Sequence, residues 1–170
     1  MTFPVTSELG HPRIGGAHHL GFSVRNLDSS IRFYCDVLGA AVIRPPYAGD
    51  NPSFAGRMAI VILGATGLDL FEHAGNAGQR FDPQCTGLDH LGFAAESVQD
   101  LESWASWLDA CGVPHSGVRQ IVAGDTGTTV PEPHGAMFDF VDPDGIQLEF
   151  LFLDSRKIQE AGVYRIGSAT

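Results

Sequence analysis

Two histidines occupy equivalent places in a repeated tetrapeptide. The sequence HLGF begins at His19 and again at His90. Side chains alternate across a β-strand, so in each copy the leucine and phenylalanine share one face while the histidine and glycine share the other. A histidine taken alone is more often a hydrogen-bonded structural residue than a metal ligand. The duplication favours ligation, and we predict that His19 and His90 face one cleft.

A carboxylate lies inside an apolar run in the second half of the chain. In the segment IQLEFLFL, Leu148 and Phe150 share one face and Glu149 points to the other. Burying an unpaired carboxylate is costly, so a bound cation is the economical explanation for Glu149. In the segment LDLFEH, Leu68 and Leu70 share the core face, and Asp69 points to the opposite face. Asp69 is therefore the fourth candidate ligand, either directly or through a water molecule.

These donors predict a mixed nitrogen and oxygen site for one divalent metal ion. Imidazole and carboxylate ligands suit Fe, Mn, Co, Ni or Zn, whereas an all-oxygen magnesium or calcium cage is disfavoured. A site with three or four protein ligands keeps positions for water or substrate, which is a condition for catalysis. Nothing in the sequence positions a base beside Cys85, and His115 is interpreted as a solvated loop residue.

Each HLGF copy is followed by a segment with helical periodicity. Apolar residues recur at three- and four-residue steps in both segments, at Leu27, Ile31, Tyr34 and Leu38 and at Val98, Leu101, Trp104 and Leu108. Asn26 or Asp28 can cap the first helix and Ser97 the second, while Gly39 and Gly112 can end them. Both segments are predicted to be amphipathic helices.

Three strand-like segments follow each helix. They are predicted near 41–44, 57–63 and 68–73, and near 118–122, 136–141 and 146–153. Pro45 and Pro46 are expected to end the first of them, and the sequence DPDG from Asp142 predicts a tight hairpin turn. Each half is thus a βαβββ unit, and two such units can pair their open sheets around a shared cleft. The fold class is α+β.

The predicted organisation has two modules. An N-terminal arm covers 1–16, the first βαβββ module 17–74, a linker and the second module 75–153, and a C-terminal tail 154–170.

Composition excludes several classes of partner. The 170 residues carry a formal net charge of −10, and Lys and Arg form no basic run, so nucleic acid and anionic membranes are poor candidates. No apolar run approaches the ~20 residues that span a bilayer. Three cysteines without CxxC spacing suggest no disulfide framework, so a cytoplasmic location is expected.

At these motifs the sequence resembles the vicinal-oxygen-chelate superfamily, which includes glyoxalase I, extradiol dioxygenases and bleomycin resistance proteins. The motifs are HLGFSVRNLDSSIRFYCDVLG, LDLFE, LDHLGF and VDPDGIQLEF. The resemblance implies a glyoxalase-type fold, in which two tandem βαβββ modules form an open eight-stranded barrel-like sheet around a metal cleft. It also implies metal ligands that match His19, Asp69, His90 and Glu149. Many members have Glu or Gln at the place of Asp69.

The leading functional expectation is a glyoxalase-I-like lyase or isomerase. Its small-molecule substrate would chelate the metal through vicinal oxygens and react through an enediolate, with Glu149 as the catalytic proton carrier. One alternative is an Fe(II) extradiol-type dioxygenase, although such enzymes carry a tyrosine at the place of Asp139. The other is a non-catalytic small-molecule binding or resistance protein. Arg25 is the only basic residue on the assigned cleft faces of the ligand-bearing strands, which disfavours phosphate-rich substrates. A homodimer is expected, and the site could lie within one chain or across a two-fold axis.

Overall fold

The chain folds into two consecutive modules with the same order of elements. A computed structural model describes residues 16–51, 54–76, 78–122 and 133–160. The N-terminal arm up to residue 15 and the tail beyond residue 160 lie outside the described residues. The first module contains β1 (His19–Ser23), α1 (Leu27–Arg32) with a π-helical continuation (Phe33–Val37), β2 (Ala41–Asn51), β3 (Phe54–Leu63) and β4 (Thr66–His73).

The second module repeats this order after a connection without regular structure in its described part. It contains β5 (His90–Ala94), α2 (Val98–Ala110), β6 (Arg119–Ile121), β7 (Gly135–Val141) and β8 (Gln147–Leu153), and a short helix α3 (Ser155–Glu160) follows. None of the helices in the described ranges is long and apolar enough to cross a membrane.

Each module forms its own four-stranded mixed sheet. The strand orders are β1-β4-β3-β2 and β5-β8-β7-β6, in which the first and last strands of a module pair in parallel and the other neighbours are antiparallel. The predicted α+β fold of two tandem βαβββ modules is confirmed. The two sheets do not close into a barrel, so the barrel-like part of the expectation is corrected to two separate sheets.

The helices and the core follow the predicted alternation. Leu68, Leu70 and Leu148 are at most 1% exposed and face the helices, whereas Asp69 and Glu149 face the other side of their sheets. Most of the buried apolar residues of both modules belong to one hydrophobic cluster. The face opposite this cluster, which we call the open face of each sheet, carries the candidate ligands.

Helix ends are set by the predicted caps. The Asn26 side chain accepts a hydrogen bond from the Ser29 backbone N–H at 2.8 Å, and Ser97 accepts one from Asp100 at 3.1 Å. Gly39 and Gly112 adopt φ values of 75° and 70°, which glycine reaches at little cost. The first periodic segment is not one regular α-helix, because its second half is π-helical.

The proline pair does not end the second strand. Strand β2 continues to Asn51, with irregular register between Val42 and Arg44 and between Arg44 and Tyr47. It lies at the outer edge of its sheet, where no strand among the described residues pairs with its outer side and needs an N–H donor. Pro45 and Pro46 are therefore accommodated as irregularities rather than as a break.

The first module contacts the second at the predicted DPDG turn. Arg25 of the first module reaches this turn, with Nε 2.7 Å from Asp144 Oδ1 and Nη2 2.9 Å from the Pro143 carbonyl oxygen. The buried Tyr34 hydroxyl donates to Asp142 Oδ2 at 3.1 Å. Asp142 Oδ1 accepts two backbone hydrogen bonds at 2.8 Å within the turn. Arg25 is thus a junction residue, and its expected place on the cleft face is wrong.

The buried Asp142 carboxyl predicts a pH-dependent stability. Burial raises its pKa from the ordinary 3.8 to about 6, against the hydrogen bonds that it accepts. The folded carboxyl then binds its proton more tightly than the unfolded one, so this stabilisation is complete below about pH 3.8 and is lost as the pH rises through about 6. Asp142→Asn should remove this loss, since an amide can accept both backbone bonds and donate to Tyr34.

The measurement is denaturant unfolding of both proteins from pH 4 to pH 7. Relative to the variant, the wild type should lose on the order of 3 kcal/mol of unfolding free energy across this interval. The exposed Asp50→Asn serves as a control with the same charge change. Parallel pH profiles for the wild type and Asp142→Asn would contradict the assignment.

Candidate metal centre

The strand register gives the two modules the same arrangement of candidate ligands. In the first module Gly21 of the HLGF copy lies opposite Asp69, and in the second Gly92 lies opposite Glu149. Each histidine precedes its glycine by two residues and therefore points to the same open face. Asp69 and Glu149 thus hold equivalent positions, and each sheet presents one histidine next to one carboxylate.

The second module brings its histidine and carboxylate together. His90 Nε2 lies 3.7 Å from Glu149 Oε1, and the Glu149 side chain is only 15% exposed. On the other side of the ring, His90 Nδ1 lies 2.7 Å from Asp89 Oδ1. A carboxylate at Nδ1 favours the tautomer that carries a proton there and leaves Nε2 as the ligand atom. The hydrogen bond that His90 donates to the Asp89 carboxylate raises the pKa of His90, burial opposes this rise, and the charges of Glu149, Asp89 and Asp139 add to it.

The first module places His19 and Asp69 at a different cavity. This cavity of about 400 Å³ is also lined by His18 and the isoleucines of the open face. The rings of His18 and His19 meet edge to face, with their Nδ1 atoms 3.0 Å apart. His90 and Glu149 line a separate cavity of about 680 Å³.

The four predicted ligands therefore do not converge within the described chain. No group of three or more His, Cys, Asp or Glu side chains in the described ranges is positioned to hold a metal ion. The structure instead places these residues in two pairs, His19 with Asp69 and His90 with Glu149, and we call each pair a half-site because it offers two of the four candidate ligands. Their nitrogen and oxygen donors suit a first-row divalent metal in type, although neither half-site alone offers three ligands.

Glycines of the open faces leave room for the side chains of the candidate ligands. A Cβ atom at Gly92 would lie 2.8 Å from Glu149 Oε1 and 3.3 Å from its Cγ, so the carboxylate lies directly over the glycine backbone. At Gly67, a Cβ atom would lie 3.2 Å from the Cβ of His19. The sequence predicts Gly92 as a small residue of a cavity wall and Gly67 as part of a break between strands, whereas Gly67 lies within β4 and both glycines lie against candidate ligand side chains.

The cavity of His90 and Glu149 contains residues that the sequence analysis did not assign to a site. Asp139 lies directly opposite Glu149 on the neighbouring strand β7, and strand alternation could have placed it there. His115 also lines this cavity with a side chain only 10% exposed, so its interpretation as a solvated loop residue is wrong. It precedes β6, where no periodicity indicates the direction of a side chain. Arg119 of β6 completes the wall.

Known proteins share this sequence pattern and this fold. The family model described as the Glyoxalase/Bleomycin resistance protein/Dioxygenase superfamily matches residues 16–150, and the chain belongs to this superfamily. A 2-epi-5-epi-valiolone epimerase from Actinomyces sp is 30% identical over 158 residues, which cover 85% of this chain and 82% of that protein.

Solved structures agree with the fold. The glyoxylase/bleomycin resistance protein/dioxygenase domain from Frankia sp. EAN1pec superposes with a TM-score of 0.69 at 29% identity, covering 83% of this chain and 99% of that domain. Lactoylglutathione lyase from Agrobacterium tumefaciens superposes with a TM-score of 0.56 at 19% identity, covering 83% and 96%, which shows likeness of fold alone.

The contact at Gly92 yields a test of the half-site. Gly92→Ala should push the Glu149 carboxylate away from His90 and weaken binding of a divalent metal by roughly ten- to hundredfold, as changes to the groups that orient metal ligands do. Calorimetric titration with Zn(II) or Mn(II) measures this. Gly75→Ala is the matched control, since a Cβ there meets open space. Equal metal affinity in Gly92→Ala and the wild type would refute the role of Gly92.

Proposed function

We propose that the protein is a divalent-metal-dependent lyase or isomerase that moves a proton between neighbouring carbons of a small molecule with vicinal oxygens. The observation that carries this proposal is the equivalent register of the two half-sites, each with a histidine and a carboxylate on the open face of its sheet. The 30% identical relative is an epimerase by name, a class of enzyme that inverts a stereocentre. Such a reaction can proceed by removal and return of a carbon-bound proton.

The proposed ligands are His19, His90 and Glu149, with Asp69 as the fourth. The Asp69 side chain is one methylene shorter than that of Glu149. Asp69 therefore binds the metal either directly or through a bridging water molecule. Imidazole and carboxylate donors suit Fe, Mn, Co, Ni or Zn. The metal would supply Lewis-acid stabilisation of negative charge on the oxygens of the substrate.

We further propose that two chains complete each site in a homodimer. The half-sites lie at separate cavities, and the open faces carry exposed apolar residues, including Ile43 at 57%, Ile62 at 38% and Val141 at 47% exposure. Placing the first sheet of one chain against the second sheet of its partner would cover these residues and bring two histidines and two carboxylates together. A two-fold axis then produces two identical sites.

The chain's own residues have distinct roles in this proposal. Asp89 holds His90 with Nε2 directed at the open face. Glu149 lies in a largely water-shielded position beside this ring and carries the proton between substrate carbons. General acid–base catalysis of this kind contributes about 10²–10⁴-fold to the rate.

Ligand removal tests the site. His90→Ala and Glu149→Ala should each lose the stoichiometric metal found in wild-type protein purified without chelators, while the exposed Glu102→Ala retains it. Elemental analysis after gel filtration is the measurement. Full metal content in both ligand variants would refute the proposed centre.

Mixing two inactive variants tests whether the site lies between chains. In a mixed dimer of His19→Ala and Glu149→Ala chains, one site combines the intact first module of one chain with the intact second module of the other. Random exchange makes half of the dimers mixed, so about a quarter of the wild-type metal content and activity should return. A site contained in one chain would recover nothing.

An Fe(II) dioxygenase is the second candidate. Two histidines and one glutamate match the two-histidine, one-carboxylate set of non-haem iron oxygenases. Oxygen consumption by iron-loaded protein with a catechol would favour this candidate over the lyase or isomerase.

A further inference from the structure

We propose that the cavity between the two helices binds a small organic cation with a methylated ammonium group. This cavity of about 460 Å³ is lined by the π-helical segment of the first module and by α2 of the second. It shares no lining residue with the cavities of the two half-sites. Its volume falls within the roughly 300–1,000 Å³ that is usual for small-molecule sites.

Two indole rings form the walls of this cavity. Trp104 and Trp107 are the two tryptophans of the chain, and both line it. The Trp104 ring stacks on the core residue Phe150, with ring centroids 4.6 Å apart. Trp107 Nε1 donates to the Val37 carbonyl oxygen at 2.8 Å, while the residue stays 47% exposed. Contacts within the protein therefore orient both rings before a ligand arrives.

Two carboxylates line the same cavity. Neither Asp36 nor Asp100 has an ion-pair partner among the described residues. Arg32, one helical turn before Asp36, donates instead to Ser29 Oγ at 3.2 Å. The face of an indole ring is negative, and tryptophan is the aromatic side chain that attracts cations most strongly. The rings and the carboxylates thus favour a ligand of the same charge sign, a cation.

A structural role explains one of these carboxylates but not the other. Asp100 lies in the first turn of α2, where the helix dipole favours a negative charge, and its Oδ2 accepts a hydrogen bond from Glu96 N–H at 3.2 Å. Asp36 lies in the last turn of the continuous segment of α1 and the π-helix. A carboxylate is unfavourable at that negative end of the dipole, and a bound cation would offset the cost.

The lining favours an organic cation over a metal ion. Within the described ranges no three His, Cys, Asp or Glu side chains are grouped to hold a metal, and the described lining of this cavity supplies two carboxylates beside apolar rings. A methylated ammonium group needs no hydrogen-bond acceptors and packs directly against aromatic rings, as quaternary ammonium ligands do. The cavity therefore fits this class of cation.

Choline and its neutral isostere test the role of charge. The isostere, 3,3-dimethylbutan-1-ol, has the shape of choline with a carbon atom in place of the charged nitrogen. Because both tryptophans line the cavity, intrinsic fluorescence reports on binding there. Ionic strength is held constant, since the net charge of −10 attracts any cation.

Three variants accompany the wild type in these titrations. Asp36→Asn removes a charge from the cavity, and Asp50→Asn makes the same change at an exposed residue outside it. Trp107→Leu keeps an apolar side chain but removes one ring, and Trp104 remains as the fluorescent reporter.

The wild type should bind choline roughly tenfold more tightly than the alcohol. Asp36→Asn should lose most of this preference while keeping its affinity for the alcohol, and Trp107→Leu should weaken choline more than the alcohol. Asp50→Asn should behave as the wild type does.

A wild type that gives no saturable response to choline, or that binds both compounds equally, would overturn the cation site. Equal choline affinities in Asp36→Asn and Asp50→Asn would do the same. Each of these results leaves the proposed metal centre standing, because the cavities share no residue.

Discussion

The parallel pairing of the first and last strands of each module determines where every candidate ligand lies. This pairing sets Gly21 against Asp69 and Gly92 against Glu149, so a histidine two residues earlier falls next to a carboxylate on the same face. A shift of one residue would turn the carboxylate toward the helices, where the leucines now pack. Core packing and ligand placement are therefore two results of one register.

The contacts between the modules explain why the candidate ligands remain in two pairs. The DPDG turn of the second module is held by Arg25 and Tyr34 of the first, and the Trp107 indole donates to the Val37 carbonyl oxygen at 2.8 Å. These contacts link the modules through helices and turns. Among the described residues both open faces therefore stay uncovered, and exposed isoleucines and valines lie next to the candidate ligands, as the proposed homodimer requires.

Much of the fold follows from local signals in the sequence. Alternation along strands identified the buried faces at Leu68 and Leu148, and the caps at Asn26 and Ser97 follow from short-range hydrogen bonds. Contacts between elements that are distant in the sequence could not be predicted from it. The alternation of β1, when extended to Arg25, predicts a side chain on the cleft face. Its guanidinium instead binds the buried carboxylate of Asp144, which lies 119 residues later in the chain.

The same limit applies to the candidate site and to the sheets. The equivalence of Asp69 and Glu149 could be inferred from the repeat, whereas their separation could not, because it depends on contacts between modules. His115 lies outside a strand, so no periodicity indicates that it turns inward. Closure of two sheets into a barrel depends on how the modules are oriented, and a strand pattern carries no information about that orientation.

The proline pair in β2 has a consequence for self-association. An outermost strand normally offers a row of amide hydrogens onto which a foreign strand can add. Pro45 and Pro46 have no amide hydrogen, and the irregular register around them disturbs the straight edge that such addition needs. Growth of the first sheet by addition of a further strand at this edge is thereby opposed.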